Sequence, residues 1–261
     1  MLLTLDIGNT MLTFGVFNNT EGTKEDFEPL HTWKVATDTN KLPDEYGLLV
    51  INLMRLESIS TEDIDSVILC SVVPPLTSSF VELSKSYFGL TPMVIGPGLK
   101  TGIRILYDSP RDVGADRIAD AAATLNIYGG PAIIVDFGTA TVFDAISENG
   151  DYLGGALVPG VTVAAEALFN SASQLRRVEL ERPSTAIGKN TIHAIQSGLI
   201  LGYTDMVSGM VNRFNEELGG QSKVVATGGL ANMMAEETSI FDIVNQNLTL
   251  QGLKIIHEMN S

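Results

Sequence analysis

The chain has 261 residues, 44% hydrophobic and 18% charged, enough apolar material for a packed core and against wholesale disorder. One cysteine, Cys70, excludes an internal disulfide framework and a cysteine-rich zinc module. The 31 acidic and 16 basic residues give a formal net charge of −15, a surface that repels phosphate backbones, so no nucleic-acid partner is expected.

The first basic residue is Lys24, too far in for the charged start of a secretory signal. No apolar run of about 18 residues escapes interruption by Gly, Pro or polar residues, so no membrane span is expected. With a lone cysteine, these features point to a cytoplasmic protein.

In chain order, Leu2 to Asp6 reads as a buried strand, followed by a polar turn at Gly8-Asn9-Thr10 and a second strand to about Phe17. A third strand is expected near Leu30 to Ala36. Asp44 to Leu56 has helical periodicity, with Leu48, Leu49, Leu53 and Leu56 on one side. Val67 to Cys70 is a short buried strand, closed by the breaker Pro74-Pro75. Ser109-Pro110-Arg111-Asp112 carries helix-start signals, and that helix should run to about Tyr128 and stop at Gly129-Gly130. Strands are expected at Ala132 to Asp136, Thr141 to Ile146 and near Tyr152 to Leu157. Thr191 to Leu218 is a long helical pattern containing Gly198, Gly202 and Gly209. Val224 to Ala226 is a strand, Gly228-Gly229 a turn, and Leu230 to Glu237 a helix.

The chain repeats itself. Leu3-Thr4-Leu5-Asp6-Ile7-Gly8-Asn9-Thr10 is echoed by Ile133-Ile134-Val135-Asp136-Phe137-Gly138-Thr139-Ala140, about half a chain length later. The strand Val67 to Cys70 and its turn parallel Val224 to Ala226 with Gly228-Gly229. A repeat of that size implies two similar domains, divided here as residues 1–125 and 126–261.

Each turn places an aspartate at the end of an apolar strand, then glycine and small hydroxyl or amide residues. Gly8 lets backbone approach a ligand, and Asn9, Thr10 and exposed N–H groups can donate to phosphate oxygens. Asp6 can hold Mg²⁺ directly or through water. One copy alone reads better as a plain β-hairpin with an Asp–Gly turn; two copies in register favour a ligand. Neither copy is a G-x-x-x-x-G-K-[ST] loop. Thr227-Gly228-Gly229, after a third buried strand, leaves room for a flat nucleoside, and a plain tight turn is its simpler reading. Strand–Asp–Gly–Thr twice and then strand–Gly–Gly resembles the layout of the acetate and sugar kinase/actin superfamily.

Asp112, Asp116 and Asp120 stand at i, i+4 and i+8 on the expected helix. A solvated acidic face is the ordinary reading of such a stripe. Three like charges on one face cost stability, which favours a function for at least one.

Tyr107-Asp108-Ser109-Pro110, Gly114-Ala115-Asp116-Arg117, Asp136 to Thr141, Gly154-Gly155-Ala156-Leu157-Val158-Pro159-Gly160 and Gly188-Lys189-Asn190-Thr191 together resemble type III pantothenate kinases. The resemblance runs from Leu3 to at least Gly229. It implies an α/β fold of two actin-like (ribonuclease H-like) domains with mixed sheets flanked by helices, paired in a homodimer. It implies transfer of the ATP γ-phosphate to the pantothenate hydroxyl, first step toward coenzyme A, with Mg²⁺ and an activating K⁺ or NH₄⁺. It places the nucleotide on Asp6, Ile7, Gly8, Asn9, Thr10, Met11, Leu12, Thr13 and Thr139. It makes Asp116 the general base and puts Tyr107, Gly114, Ala115, Asp116, Arg117 and Thr191 on pantothenate, Thr191 from either subunit. It makes Asp136 the ligand of the monovalent cation. Asp112 and Asp120, one turn either side, are expected to raise the proton affinity of Asp116.

Two positions depart from the family pattern. Val142 stands where threonine is often repeated, and Asp120 where asparagine is common. His31, His193 and His257 lack metal-ligand spacing, and Cys70 reads as an inert core thiol. Two other readings remain: a non-enzymatic accessory factor for transcription, or another phosphotransferase of the actin-like fold. The net charge opposes the former. The Gly114 to Arg117 element and Thr191 oppose the latter.

Overall fold

The computed structural model describes residues 1–18, 27–172, 175 and 177–261, which form two compact units. The first comprises Met1–Ile127 with Asn247–Ser261, and the second Tyr128–Gln246.

The first unit begins with β1 (Leu2–Ile7), β2 (Met11–Phe17) and β3 (His31–Ala36), then α1 (Pro43–Leu56), β4 (Ser66–Ser71) and α2 (Pro74–Leu83). Two short strands follow, β5 (Met93–Val94) and β6 (Arg104–Ile105), and then α3 (Ala115–Tyr128). The sheet order is β3-β2-β1-β4-β5, antiparallel through β1, β2 and β3 and parallel from β1 to β4 to β5. Leu3, Leu5 and Ile7 of β1 pack with Val67 and Leu69 of β4 against Val50, Met54, Leu76 and Phe80 of α1 and α2. The alternate residues Leu2, Ile68 and Cys70 pack with Ala119 and Ala122 of α3. Strand periodicity of two therefore gives Asp6 the α3 side of the sheet. Layers on both faces explain why β1 and β4 read as unbroken apolar runs.

Helix starts follow backbone supply. In α1, Pro43 takes the first turn and the Glu45 carboxylate accepts from the Leu42 N–H at 2.9 Å. Pro74-Pro75, read above as a breaker, instead opens α2, because the first N–H groups of a helix lack intrahelical partners anyway. The helix expected from Ser109 is split. Pro110–Asp112 forms a 3₁₀ turn, Val113 is extended, and α3 begins only after Gly114, whose carbonyl accepts from the Ile118 N–H. Asp112 is therefore exposed and off the helix, and the three-aspartate stripe reduces to Asp116 and Asp120.

The second unit repeats the plan with β7 (Ala132–Phe137), β8 (Ala140–Ile146), β9 (Asp151–Pro159), α4 (Val161–Ser171), α5 (Thr191–Gln196), α6 (Tyr203–Glu217), β10 (Lys223–Gly228), α7 (Ala231–Ala235) and β11 (Ile243–Val244). Its strands order as β11-β10-β7-β8-β9, with β7, β8 and β9 antiparallel and β7, β10 and β11 parallel. Asp6 faces Thr13 on β2 and Cys70 on β4; Asp136 faces Val142 on β8 and Thr227 on β10. The sequence repeat is thus a repeat of register, and Val142 occupies the place that Thr13 holds in the first unit. The long helix expected over Thr191 to Leu218 is present but carries a π-helical turn at Ser197–Gly202 between α5 and α6.

The final helix, α8 (Leu248–Glu258), packs Leu250, Leu253 and Ile256 onto Leu2, Phe17, Ile68 and Cys70 of the first unit. Gly252 permits this approach, since a Cβ there would lie 1.9 Å from the Ala119 carbonyl oxygen. A boundary after residue 125 puts this segment in the second half, whereas its apolar side chains are buried in the first unit. Among the described residues no helix is long and apolar enough to cross a membrane.

Candidate active site

In the first unit, three acids converge on one buried thiol. Cys70 Sγ donates to Asp6 Oδ1 at 3.3 Å, across the β1–β4 pair. Burial and, after it, the Asp116 charge push the Asp6 carboxyl up to about 7, against the opposing Cys70 bond. Burial, together with the charges of Asp6, Asp116 and Asp120, raises the Cys70 thiol well above its ordinary value, so it stays protonated and inert.

Asp116 stands in the first turn of α3. Burial raises its carboxyl above the ordinary range, while a 2.8 Å bond from the Arg117 N–H and the Arg117 charge pull it back. The raised proton affinity expected from sequence is present, but its cause is burial rather than flanking acids. Asp112 is off the helix, and Asp120 is buried and accepts a 2.7 Å bond from the Thr249 hydroxyl on α8. Gly114 makes the Asp116 conformation possible: a Cβ there would lie 2.3 Å from Oδ1.

The first turn is closed by the Gly8 N–H donating to the Met11 carbonyl at 3.1 Å. Thr37 braces it, its hydroxyl donating to the Gly8 carbonyl and its N–H to the Thr10 carbonyl. Asn9, Thr10 and Met11 are exposed at the tip. Ile7 and Leu12 are buried in the core beneath α1 and α2, so neither presents a side chain to a ligand. Tyr107 is half-buried in the segment preceding the 3₁₀ turn.

In the second unit, Asp136 is the next-to-last residue of β7 and Gly138-Thr139 forms an exposed turn. Gly228 abuts Asp136: it has φ +88°, and a Cβ would lie 2.3 Å from Asp136 Oδ1. The glycine pair read as a nucleoside platform therefore touches the aspartate read as a cation ligand. Thr191 is the exposed first residue of α5, capped by the Asn190 side chain accepting from the His193 N–H at 3.0 Å.

Sequence reasoning left Cys70 without a partner and gave no role to Tyr203 or Thr249. The pairing of β1 with β4 could have exposed the Cys70–Asp6 contact. Nothing local signals the other two.

Two open mixed sheets of one topology, each with an aspartate next to the end of its first strand and a glycine turn directly after it, define the actin-like fold of a phosphotransferase. The sequence pattern of the type III pantothenate kinase family matches residues 2–213, and the chain belongs to that family. It is an enzyme, an ATP-dependent kinase acting on pantothenate. A Campylobacter jejuni protein described as a Baf family transcriptional activator is similar in structure, with TM-score 0.61 and 20% identity over 99% of this chain and 98% of that one. A Sinorhizobium meliloti protein described as a 2-dehydro-3-deoxygalactonokinase gives 0.53 at 9% identity, covering 99% and 96%. A Francisella tularensis propionate kinase gives 0.52 at 10% identity, covering 99% of both. At such identities these likenesses show the fold alone. Family membership implies use of ATP, Mg²⁺ and a monovalent cation.

Proposed function

We propose that Asp116 is the general base that takes the hydroxyl proton of pantothenate as its oxygen attacks the γ-phosphorus of ATP, releasing ADP. The observation that carries this reading is a carboxylate raised by burial, fixed by the Arg117 N–H and given space by Gly114. A carboxyl raised above its ordinary range is a stronger base near neutrality. Its rigid seat at a helix start meets the positioning demand of phosphoryl transfer, where little covalent work falls to the protein. Gly114, Ala115, Arg117, Tyr107 and Thr191 are assigned to pantothenate.

Asp6, Asn9, Thr10 and the turn backbone through Thr13 are assigned to the nucleotide phosphates, with Thr139 as the matching contact in the second unit. Asp6 is assigned to Mg²⁺ and Asp136 to K⁺ or NH₄⁺. Carboxylate and hydroxyl oxygens are the hard donors that these cations prefer. Among the described residues no group of three or more His, Cys, Asp or Glu could hold a metal. Mg²⁺ is commonly held by one or two carboxylates together with substrate phosphates, which is the role assigned to Asp6. When bound, Mg²⁺ supplies charge neutralisation at the phosphates.

A homodimer is part of the same reading. Among the described residues, a Cβ at Gly198, Gly202 or Gly209 would meet nothing within 4 Å. Leu157, Val163, Leu168 and Ile192 leave apolar surface exposed in the same unit. Light scattering should exceed the 27.9 kDa of one chain; a single-chain mass at micromolar concentration would refute the dimer.

The overall reading is tested by coupled ADP release with and without pantothenate, with mass analysis of the product. ADP formation that depends on pantothenate, with one phosphate added per molecule, supports it. ADP formation indifferent to pantothenate overturns it.

A further inference from the structure

We propose that Tyr203 is a positioning residue for the Gly138-Thr139 turn, holding it in the shape that receives nucleotide phosphates. The inference rests on the reading that Thr139 contacts ATP.

The turn is not held by its own strands alone. The Gly138 N–H donates to the Ala140 carbonyl at 3.0 Å, and the Gly160 N–H donates to the Thr139 carbonyl at 2.9 Å. Gly160 lies so close beneath the turn that a Cβ would stand 2.3 Å from the Gly138 oxygen and 2.6 Å from the Thr139 oxygen. The Thr139 backbone therefore sits where the junction of β9 and α4 puts it.

Tyr203 grips that junction. Its hydroxyl is bonded to the Pro159 carbonyl and lies 3.0 Å from Thr141 Oγ1. A carbonyl only accepts, so the single phenol proton goes to Pro159, and the Thr141 hydroxyl donates to the phenolic oxygen. One oxygen atom thus ties the last residue of β9 to the second residue of β8. These residues flank Gly160 and Thr139. Partial burial raises the Tyr203 pKa, which keeps the donor protonated at working pH.

The π-helical turn explains how a helix residue reaches this place. Ser197–Gly202 precedes Tyr203 directly. A π turn takes in one residue more than an α turn, which rotates the following helix face by roughly 100°. That offset gives Tyr203 a face that the α5 phase alone would give to a neighbour. Thr204 then anchors the restart, its hydroxyl donating to the Ile200 carbonyl at 2.8 Å.

The test is Tyr203→Phe, which keeps the ring and deletes the hydroxyl. Loss of one such bond should raise the KM for ATP by about threefold to tenfold, with the KM for pantothenate unchanged. Thr141→Val should shift the same constant in the same direction. The double variant should be little worse than Tyr203→Phe, because both act through one oxygen. Should Tyr203→Phe not fold, as read by circular dichroism, Thr141→Val carries the test. Thr139→Ala is measured alongside. If it raises the KM for ATP while Tyr203→Phe lowers only the melting temperature, the positioning role is wrong and the turn still binds ATP. If Thr139→Ala leaves the KM for ATP unchanged, the nucleotide reading of the turn falls, and this inference with it.

Discussion

Gly114 backs directly onto Asp116: a Cβ on the glycine would lie 2.3 Å from the carboxylate Oδ1. The contact is side chain against backbone position, so the carboxylate must swing aside if any side chain is added. Gly114→Ala should leave the fold intact, because the bulk displaces one side chain rather than the core. A displacement of about 1 Å in a reacting group can cost roughly 10²-fold in rate, and kcat is expected to fall on that scale. Steady-state turnover with a melting curve checks this. Wild-type turnover in a stably folded Gly114→Ala protein would show that the Asp116 geometry is not needed.

Asp6 makes a prediction about stability and pH. Its folded value of about 7 lies above the ordinary 3.8 that applies when the chain is unfolded. Between those values the native state binds the extra proton, so the contribution of Asp6 to stability falls as pH rises from about 4 to about 7. Asp6→Asn should therefore melt higher than wild type at about pH 8, without nucleotide or Mg²⁺, and lose activity. The difference in melting temperature should shrink as pH is lowered toward about 4. A difference that does not vary with pH would contradict the burial account. This is the trade between stability and function expected where a buried charge is retained for its chemistry.

Asp136 is expected to make activity depend on K⁺. Its carboxylate sits beside Gly228, the position where any side chain would crowd it. Activity titrated against KCl, with NaCl holding ionic strength, should rise and saturate in the wild type. Asp136→Ala should lose most activity and its K⁺ response. A wild type indifferent to K⁺ would remove the cation role.

Much of this arrangement is legible in the sequence because burial on both faces of a sheet writes strands as apolar runs. The aspartate near the end of β1 and of β7, and the glycine just after each strand, then stand out. The start of α3 was misplaced, because Pro110 and Ser109 signal a helical turn without saying whether it is 3₁₀ or α. The extended Val113 that precedes Gly114 carries no local signal of a break. Helix α8 escaped notice for a different reason. Its buried stretch includes Gln251, Gly252 and Lys254, so the residues that face the core do not read as an apolar stripe. Partners such as Thr249 for Asp120 and Tyr203 for Thr141 are 129 and 62 residues apart, set only by the fold.

The central claim is that Asp116 takes the proton, and its most direct test is Asp116→Asn under single-turnover conditions beside direct ATP binding. The substitution keeps shape and removes the base. The chemical step should slow by roughly 10²–10⁴-fold. ATP affinity should stay near wild type, since Asp6 and Thr139 are assigned to the nucleotide. Retention of more than about a tenth of wild-type turnover, well short of the loss expected for a general base, would contradict the account.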